Sequence, residues 1–236
     1  MKTLLVSGGS GKLVKQIIKY NTKYQIFAPS RNEMDVSDYN SVDEYIKSCN
    51  PDIFLHSGAY TRPMQKHVDN PDLSIKNNII GTSNVVLACI EHNIKLVYIS
   101  TDYVYPGISG PYQEDDPLKP FTKYGWSKLG GECAVQLYDN SLILRACICD
   151  YPFPHPNAFT DVTKNTMYNM DVSKIILNLL DEYGIVNVGG EPQTMYEFVK
   201  EYNPDIGKIS TSDLPSDSEI TKKDTSMCIK KMKGLL

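Results

Sequence analysis

Short apolar runs recur along this chain with helical segments between them, and no other feature limits the fold as strongly. TLLVS (3–7), YQIFA (24–28), PDIFLHSG (51–58), KLVYIST (95–101) and SLILRACI (141–148) each read as a strand buried on both faces. Between them, GKLVKQIIKY spaces Leu13, Ile17 and Ile18 on one helical face. SVDEYIKSCN (41–50) predicts a helix capped by Ser41, with Glu44 completing a capping box. Residues 71–93 predict one long helix with Pro71 in its first turn and a stripe of Ile75, Ile79, Val86 and Ile90. Strands alternating with helices make βαβ units, and right-handed crossovers leave an α/β, doubly wound parallel sheet with helices on both faces. Such sheets bind ligands outside the carboxyl ends of their strands. Ser7, Ser57, Thr101 and the loop after Cys149 lie at those ends.

The texture changes near residue 150. DYPFPHPNAF holds three prolines and reads as a loop crossing the ligand edge. VSKIILNLLDEY predicts a helix, GIVNVGG a strand, TMYEFVKEY a helix, LPSDSEITKKDTSM a polar surface loop and IKKMKGLL a short terminal helix. The expected division is residues 1–150 as a nucleotide-binding domain and 151–236 as a small substrate lobe packed on it, with part of the chain returning to the sheet. The 236 residues carry a net charge of −4, without the basic excess that points to a nucleic-acid surface. No apolar run approaches the roughly 20 residues that span a bilayer, and glycines interrupt the apolar start too early for a signal peptide. The six cysteines form no CxxC pair and no histidine stands at ligand spacing, so reduced thiols, no metal and a cytoplasmic location are expected.

VSGGSGKLV sets Gly8, Gly9 and Gly11 between the first strand and the first helix. Gly8 permits a tight turn, and Gly11 lets the backbone approach a pyrophosphate resting on the helix amides. Val14 stands where a third glycine would give close helix–strand packing. The second strand ends in Ala28-Pro29-Ser30-Arg31, without an immediate carboxylate. A hydroxyl and a forked guanidinium suit a ribose 2′-phosphate, so NADP is expected, NADPH being preferred and NAD the alternative. Asp35 is expected at the adenine edge through its backbone.

In KYGWSKLGGE (123–132), Tyr124 and Lys128 stand four apart and project from one helical face. A free phenol has a pKa near 10; an ammonium beside it would lower that value and fit it for proton transfer. Thr101 supplies a hydroxyl for the same substrate oxygen, and Lys128 can also donate to a nicotinamide ribose.

The G-x-x-G turn, Thr101 and Tyr-x-x-x-Lys resemble the extended short-chain dehydrogenase/reductase superfamily, whose fold is the NAD(P)-binding Rossmann sheet. SRNEMDVSD, SGAYT, YISTDYVYPG and YGWSKLGGE resemble, more narrowly, the dTDP-4-dehydrorhamnose reductase family. That resemblance implies reduction of the 4-keto group of a nucleotide-linked 6-deoxyhexose. It implies Tyr124 as proton donor, Lys128 as its partner and Thr101 as the carbonyl-orienting group. Gly8, Gly11, Lys12 and Leu13 would surround the pyrophosphate; Ser30 and Arg31 the adenosine phosphate; Ser57, Gly58, Ala59 and Tyr60 the ribose and nicotinamide. Asn78 would join the cofactor site from behind the catalytic helix. Asp102, Tyr103, Arg145 and His155 would face the substrate, although a buried arginine such as Arg145 also fits a structural carboxylate. Asp102 and Tyr103 stand where epimerising relatives carry a cysteine, which argues against that activity. The chain is short for the family in its carboxyl third. A non-catalytic NADP-binding regulatory subunit, like the beta subunit of methionine adenosyltransferase, and a nucleotide-sugar epimerase or dehydratase are the alternatives. The expected partner is a nucleotide sugar, with the protein a monomer or homodimer.

Overall fold

The computed structural model describes residues 1–215 and 224–236 of the chain; most of the polar stretch expected as a surface loop at 214–227 lies outside them. Six strands, β1 (Lys2–Ser7), β2 (Tyr24–Phe27), β3 (Ile53–His56), β4 (Lys95–Thr101), β5 (Ser141–Ala146) and β6 (Gly184–Val188), form one sheet in the order β6-β5-β4-β3-β1-β2. Every pairing in it is parallel. The strands are buried on both faces, so side chains sort by alternation. Leu4, Val6, Ile53, Leu55, Val97 and Leu142 enter one core cluster; Leu5, Phe54, Leu96, Tyr98 and Ile143 enter the other. The first cluster is closed by α1 (Lys12–Tyr20) and α5 (Asn169–Leu179), the second by α2 (Tyr39–Cys49), α3 (71–91) and α4 (Lys123–Val135).

Two helix expectations need correction. Asp38, not Ser41, caps α2, accepting from the amide of Asn40, and Ser41 instead accepts from the amide of Asp35. Two competent caps stand three residues apart, and the earlier one wins because Asp35 engages the later. The long helix α3 is not uniform: Pro71–Ser74 and Gly81–Glu91 are α-helical, and Ile75–Ile80 is a π turn. The wider turn puts Ile75 out of register with Val86, which follows it. Val86 is buried, whereas Ile75 and Ile90 are 49% and 48% exposed.

The chain after residue 150 is shared between two bodies. α5 packs on α1 and β6 extends the main sheet. The terminal helix Lys230–Leu235 also packs on β6, and a small lobe is built from the parallel pair Asn157–Phe159 and Gly207–Ile209, the antiparallel pair Thr163–Lys164 and Gln193–Thr194, and the helix Met195–Lys200. Cys149, Ala158, Tyr168, Phe198, Val199 and Ile206 form its core. Among the described residues, no helix is long and apolar enough to cross a membrane.

Candidate active site

The crevice opens between β1 and β3, where the order of the sheet reverses. β1 ends at Ser7 and the chain turns at Gly8, whose φ of +79° favours glycine. Gly11 then caps α1 with no side-chain acceptor and no acidic residue in the first turn, leaving the first amides of α1 for an anion. Gly8, Arg31, Asp35, Gly58, Ala59 and Tyr60 line one crevice, as expected for a dinucleotide, together with Met34, Val36 and Asn77, which sequence reasoning did not single out.

Other expected cofactor contacts are engaged differently. Leu13 packs against the core, so only its backbone can face a phosphate. The amide and hydroxyl of Ser30 both donate to Glu33 at 2.7 Å. Arg31 lies 3.4 Å from Asp35, a loose and exposed pair. The backbone of Asp35 is already engaged: its amide donates to Ser41 and its carbonyl accepts from the amide of Asp38.

Thr122 caps α4 by accepting from the amide of Gly125 at 3.0 Å, which places Tyr124 and Lys128 on the face over β4. The helix approaches so closely that a Cβ on Gly131 would stand 2.4 Å from the Tyr98 hydroxyl. The ring of Tyr124 is 5.2 Å from that of His67 and 6.1 Å from that of Tyr103. His67, on the short helix Gln65–Asp69, is fully buried and bonded to Ser74 at 2.8 Å and to the carbonyl of Thr61.

The expectation that Lys128 acidifies Tyr124 needs correction. Burial, then Asp102, pushes the phenol above its ordinary range, while Arg62 and a hydrogen bond with Thr101 pull it down. Lys128 is 3% exposed and its Nζ lies 4.0 Å from the centre of the Tyr98 ring. Burial lowers its pKa to about 7, against the opposing pull of Glu132. Desolvation outweighs charge here for both groups.

Beneath these groups lies a buried polar layer. Asn78 accepts from the amide of Tyr60 at 2.7 Å, donates to its carbonyl at 2.8 Å and donates to Ser127 at 2.9 Å. Ser127 in turn donates to the carbonyl of Tyr124. The π turn thus uses Asn78 to tie the crevice loop to α4, the supporting position expected for it. The hydroxyl of Thr82 donates to the carbonyl of Asn78, so at 3.1 Å from it His56 Nε2 must carry the proton. His56 Nδ1 then accepts from Ser7 at 2.7 Å, and Ser7 accepts the amides of Ser57 and Gly58 at 3.1 and 2.9 Å. Burial, then the charge of Lys128, lowers the His56 pKa to about 3 and keeps the ring neutral.

Three expected substrate contacts lie elsewhere. Arg145 is 1% exposed, paired with Glu132 at 2.9 Å, and donates to the Tyr105 hydroxyl and the Glu114 carbonyl at 2.8 and 2.9 Å. The structural carboxylate, not a substrate anion, holds it. Asp102 is buried and accepts from Lys164 and Thr225, each at 2.6 Å, and from Thr101 at 3.1 Å. It joins β4 to the small lobe. His155 stands exposed on its loop, 5.4 Å from the ring of Phe153. Tyr103 does face Tyr124, with Lys164 Nζ 3.9 Å from its ring centre. Burial raises the pKa of Cys147 to about 12 and of Cys149 to about 11, so neither thiol is a ready nucleophile.

The model of the RmlD substrate binding domain family matches residues 1–152. The chain belongs to this family. A dTDP-4-dehydrorhamnose reductase of Aggregatibacter actinomycetemcomitans is 27% identical over an alignment covering 97% of this chain and 90% of that protein. The Bacillus subtilis spore coat polysaccharide biosynthesis protein SpsK is 35% identical, over 58% of this chain and 49% of its own length. The fold matches a crystal structure of a Bacillus anthracis dTDP-4-dehydrorhamnose reductase in complex with NADP, with a TM-score of 0.83, 24% identity and coverage of 93% and 88% of the two chains.

Proposed function

We propose that this RmlD-family protein is an NADPH-dependent reductase of the 4-keto group of a nucleotide-linked 6-deoxyhexose, acting in deoxysugar biosynthesis. The observation that carries the reading is the Tyr124 phenol facing Thr101, beside a crevice whose glycine turn and uncapped helix amides suit a dinucleotide. The residues present fit that cofactor: Gly8, Gly58, Ala59 and Tyr60 along the crevice, and Arg31 where a 2′-phosphate would sit. Arg31 is only loosely held by Asp35 and is free to exchange it for a phosphate, which favours NADPH over NADH.

The cofactor, when bound, supplies the hydride. Tyr124 gives its proton to the developing alkoxide oxygen. A phenol holds its proton at neutral pH even when free, and burial raises the pKa of Tyr124 further. Thr101 orients the carbonyl oxygen toward that proton. Lys128 holds a ribose hydroxyl, and Asn78 with Ser127 fixes the helix that carries both groups. Tyr103 and the small lobe border the sugar. The regulatory-subunit alternative predicts a degraded catalytic set, whereas Thr101, Tyr124 and Lys128 are all in place. A cytoplasmic location fits the six free thiols, and a monomer or homodimer meets every requirement of the site.

The test is NADPH oxidation with dTDP-, UDP- and GDP-linked 4-keto-6-deoxyhexoses. Turnover of at least one is expected. Binding of NADPH without turnover of any of them would favour the regulatory role instead.

A further inference from the structure

We propose that His67 is a positioning residue, which holds the Tyr124 phenol in register with the crevice loop that would border the cofactor. One imidazole touches both sides of that arrangement. Its ring centre lies 5.0 Å from that of Tyr60 and 5.2 Å from that of Tyr124. Tyr60 stands on the loop after β3 and Tyr124 in the first turn of α4, so their spacing is set by tertiary contacts alone. His67 is the ring that both meet, and it is fully buried on the short helix Gln65–Asp69.

Both nitrogens of that ring are engaged. The carbonyl of Thr61 can only accept, so Nε2 carries the proton and donates to it. Nδ1 then accepts from the hydroxyl of Ser74, in the first turn of α3, at 2.8 Å. Flipping the ring would set carbons against both partners and leave them unpaired in a buried place. The plane of the imidazole is thus locked by α3 and by the crevice loop. Asn78 holds the same loop one residue earlier, through the amide and carbonyl of Tyr60 at 2.7 and 2.8 Å. Tyr124 is anchored differently. Ser127 fixes its carbonyl at 2.8 Å, while its ring leans on His67 and, at 6.1 Å, on Tyr103. A locked plate beside a ring that turns about its own side-chain bonds limits where the phenolic oxygen points. In the reductase reading, on which this proposal rests, hydride comes from the side that Tyr60 borders and the proton from Tyr124. Both must meet one carbonyl group, and a misplacement of about 1 Å costs roughly 10²-fold in rate. His67 therefore acts through Tyr124, without touching the reacting atoms.

The experiment compares the whole protein with His67→Ala, His67→Gln, Tyr124→Phe and the double variant His67→Ala, Tyr124→Phe, each assayed well below its melting temperature. With a 4-keto sugar nucleotide that the wild type reduces, His67→Ala should lower kcat by roughly 10- to 100-fold. The KM for the sugar and the Kd for NADPH should stay within about threefold, because the interaction lost acts on the reacting state. In the Tyr124→Phe background the same change should cost less than about twofold, whereas a purely structural role would cost as much in either background. His67→Gln keeps a donor for Thr61 but removes the ring; it should show the same loss, and it carries the test if His67→Ala does not fold. Without any cofactor, the imidazole proton resonances of His67 should move in Tyr124→Leu, which takes the neighbouring ring away. The proposal is overturned if the folded His67 variants keep kcat within about twofold of wild type, if the loss is equal in the Tyr124→Phe background, or if those resonances stay in place. A wild type that reduces none of the sugars refutes the reductase reading, and the proposal falls with it. An active wild type with unimpaired His67 variants refutes the proposal alone.

Discussion

Replacing Lys164 with methionine tests how the carboxyl end of β4 is joined to the small lobe. Lys164 and Asp102 meet at 2.6 Å with side chains 10% and 3% exposed. Loss of one partner of a buried pair costs about 3–5 kcal/mol, because the other charge is left without compensation. Asp102 keeps two hydroxyl donors, Thr225 at 2.6 Å and Thr101 at 3.1 Å, which puts the cost at the lower end, about 3 kcal/mol. For a chain of this size each kcal/mol shifts the melting point by about 2–4 °C, so Lys164→Met should melt about 6–12 °C lower. Denaturant unfolding followed by circular dichroism should give the same free energy with an unchanged slope. The double variant Asp102→Asn, Lys164→Met should recover most of the loss, since the uncompensated charge is gone. Burial lowers the Lys164 pKa, but Asp102 outweighs burial and holds it above the ordinary lysine range. A group raised in the folded state stabilises fully below its unfolded pKa, about 10.4, and loses that contribution only as pH rises through the folded value. The difference between wild type and variant should therefore stay flat across neutral pH and shrink in strong alkali. A single-variant loss below about 1 kcal/mol, or a double variant as unstable as the sum of its parts, would refute the reasoning.

Three further outcomes are expected. Tyr124→Phe should lower kcat by roughly 10²–10⁴ while NADPH still binds; residual turnover above about a tenth of wild type would contradict the proton-donor role. Arg31→Ala should raise the Kd for NADPH by about tenfold or more and leave NADH nearly unchanged, measured by nucleotide fluorescence, with equal losses excluding a 2′-phosphate contact. Lys128, with a pKa of about 7, is mostly neutral at pH 8 or so, and a ribose contact that favours the ammonium should draw in a proton on NADPH binding. Calorimetry in buffers of different ionisation enthalpy should detect that uptake in the wild type, and Lys128→Met should lose it; a wild type without uptake at about pH 8 would show that the amine keeps its charge state.

Much of this protein is legible in the local patterns of its sequence. Apolar runs with helices between them specify a doubly wound sheet, because a strand buried on both faces and a helix buried on one leave different periodicities in the chain. The glycine turn, Thr101 and the Tyr124–Lys128 spacing were legible for the same reason: each lies within one strand, turn or helix. What stayed hidden is set by long-range partners. Lys164 is 62 residues from Asp102 and Thr225 is 123 away, and nothing in either stretch marks them as its donors. The polar residues Ser7, His56, Ser100 and Arg145 stand at or near the carboxyl ends of their strands, a recurrence that the sequence does contain, but their partners, His56 on β3 for Ser7 and residues of α3 and α4 for the others, emerge only on folding. The direction in which Tyr124 titrates was likewise beyond the sequence. Spacing says that a cation is near, whereas the depth of burial, which only packing sets, decides whether charge attraction or lost hydration prevails.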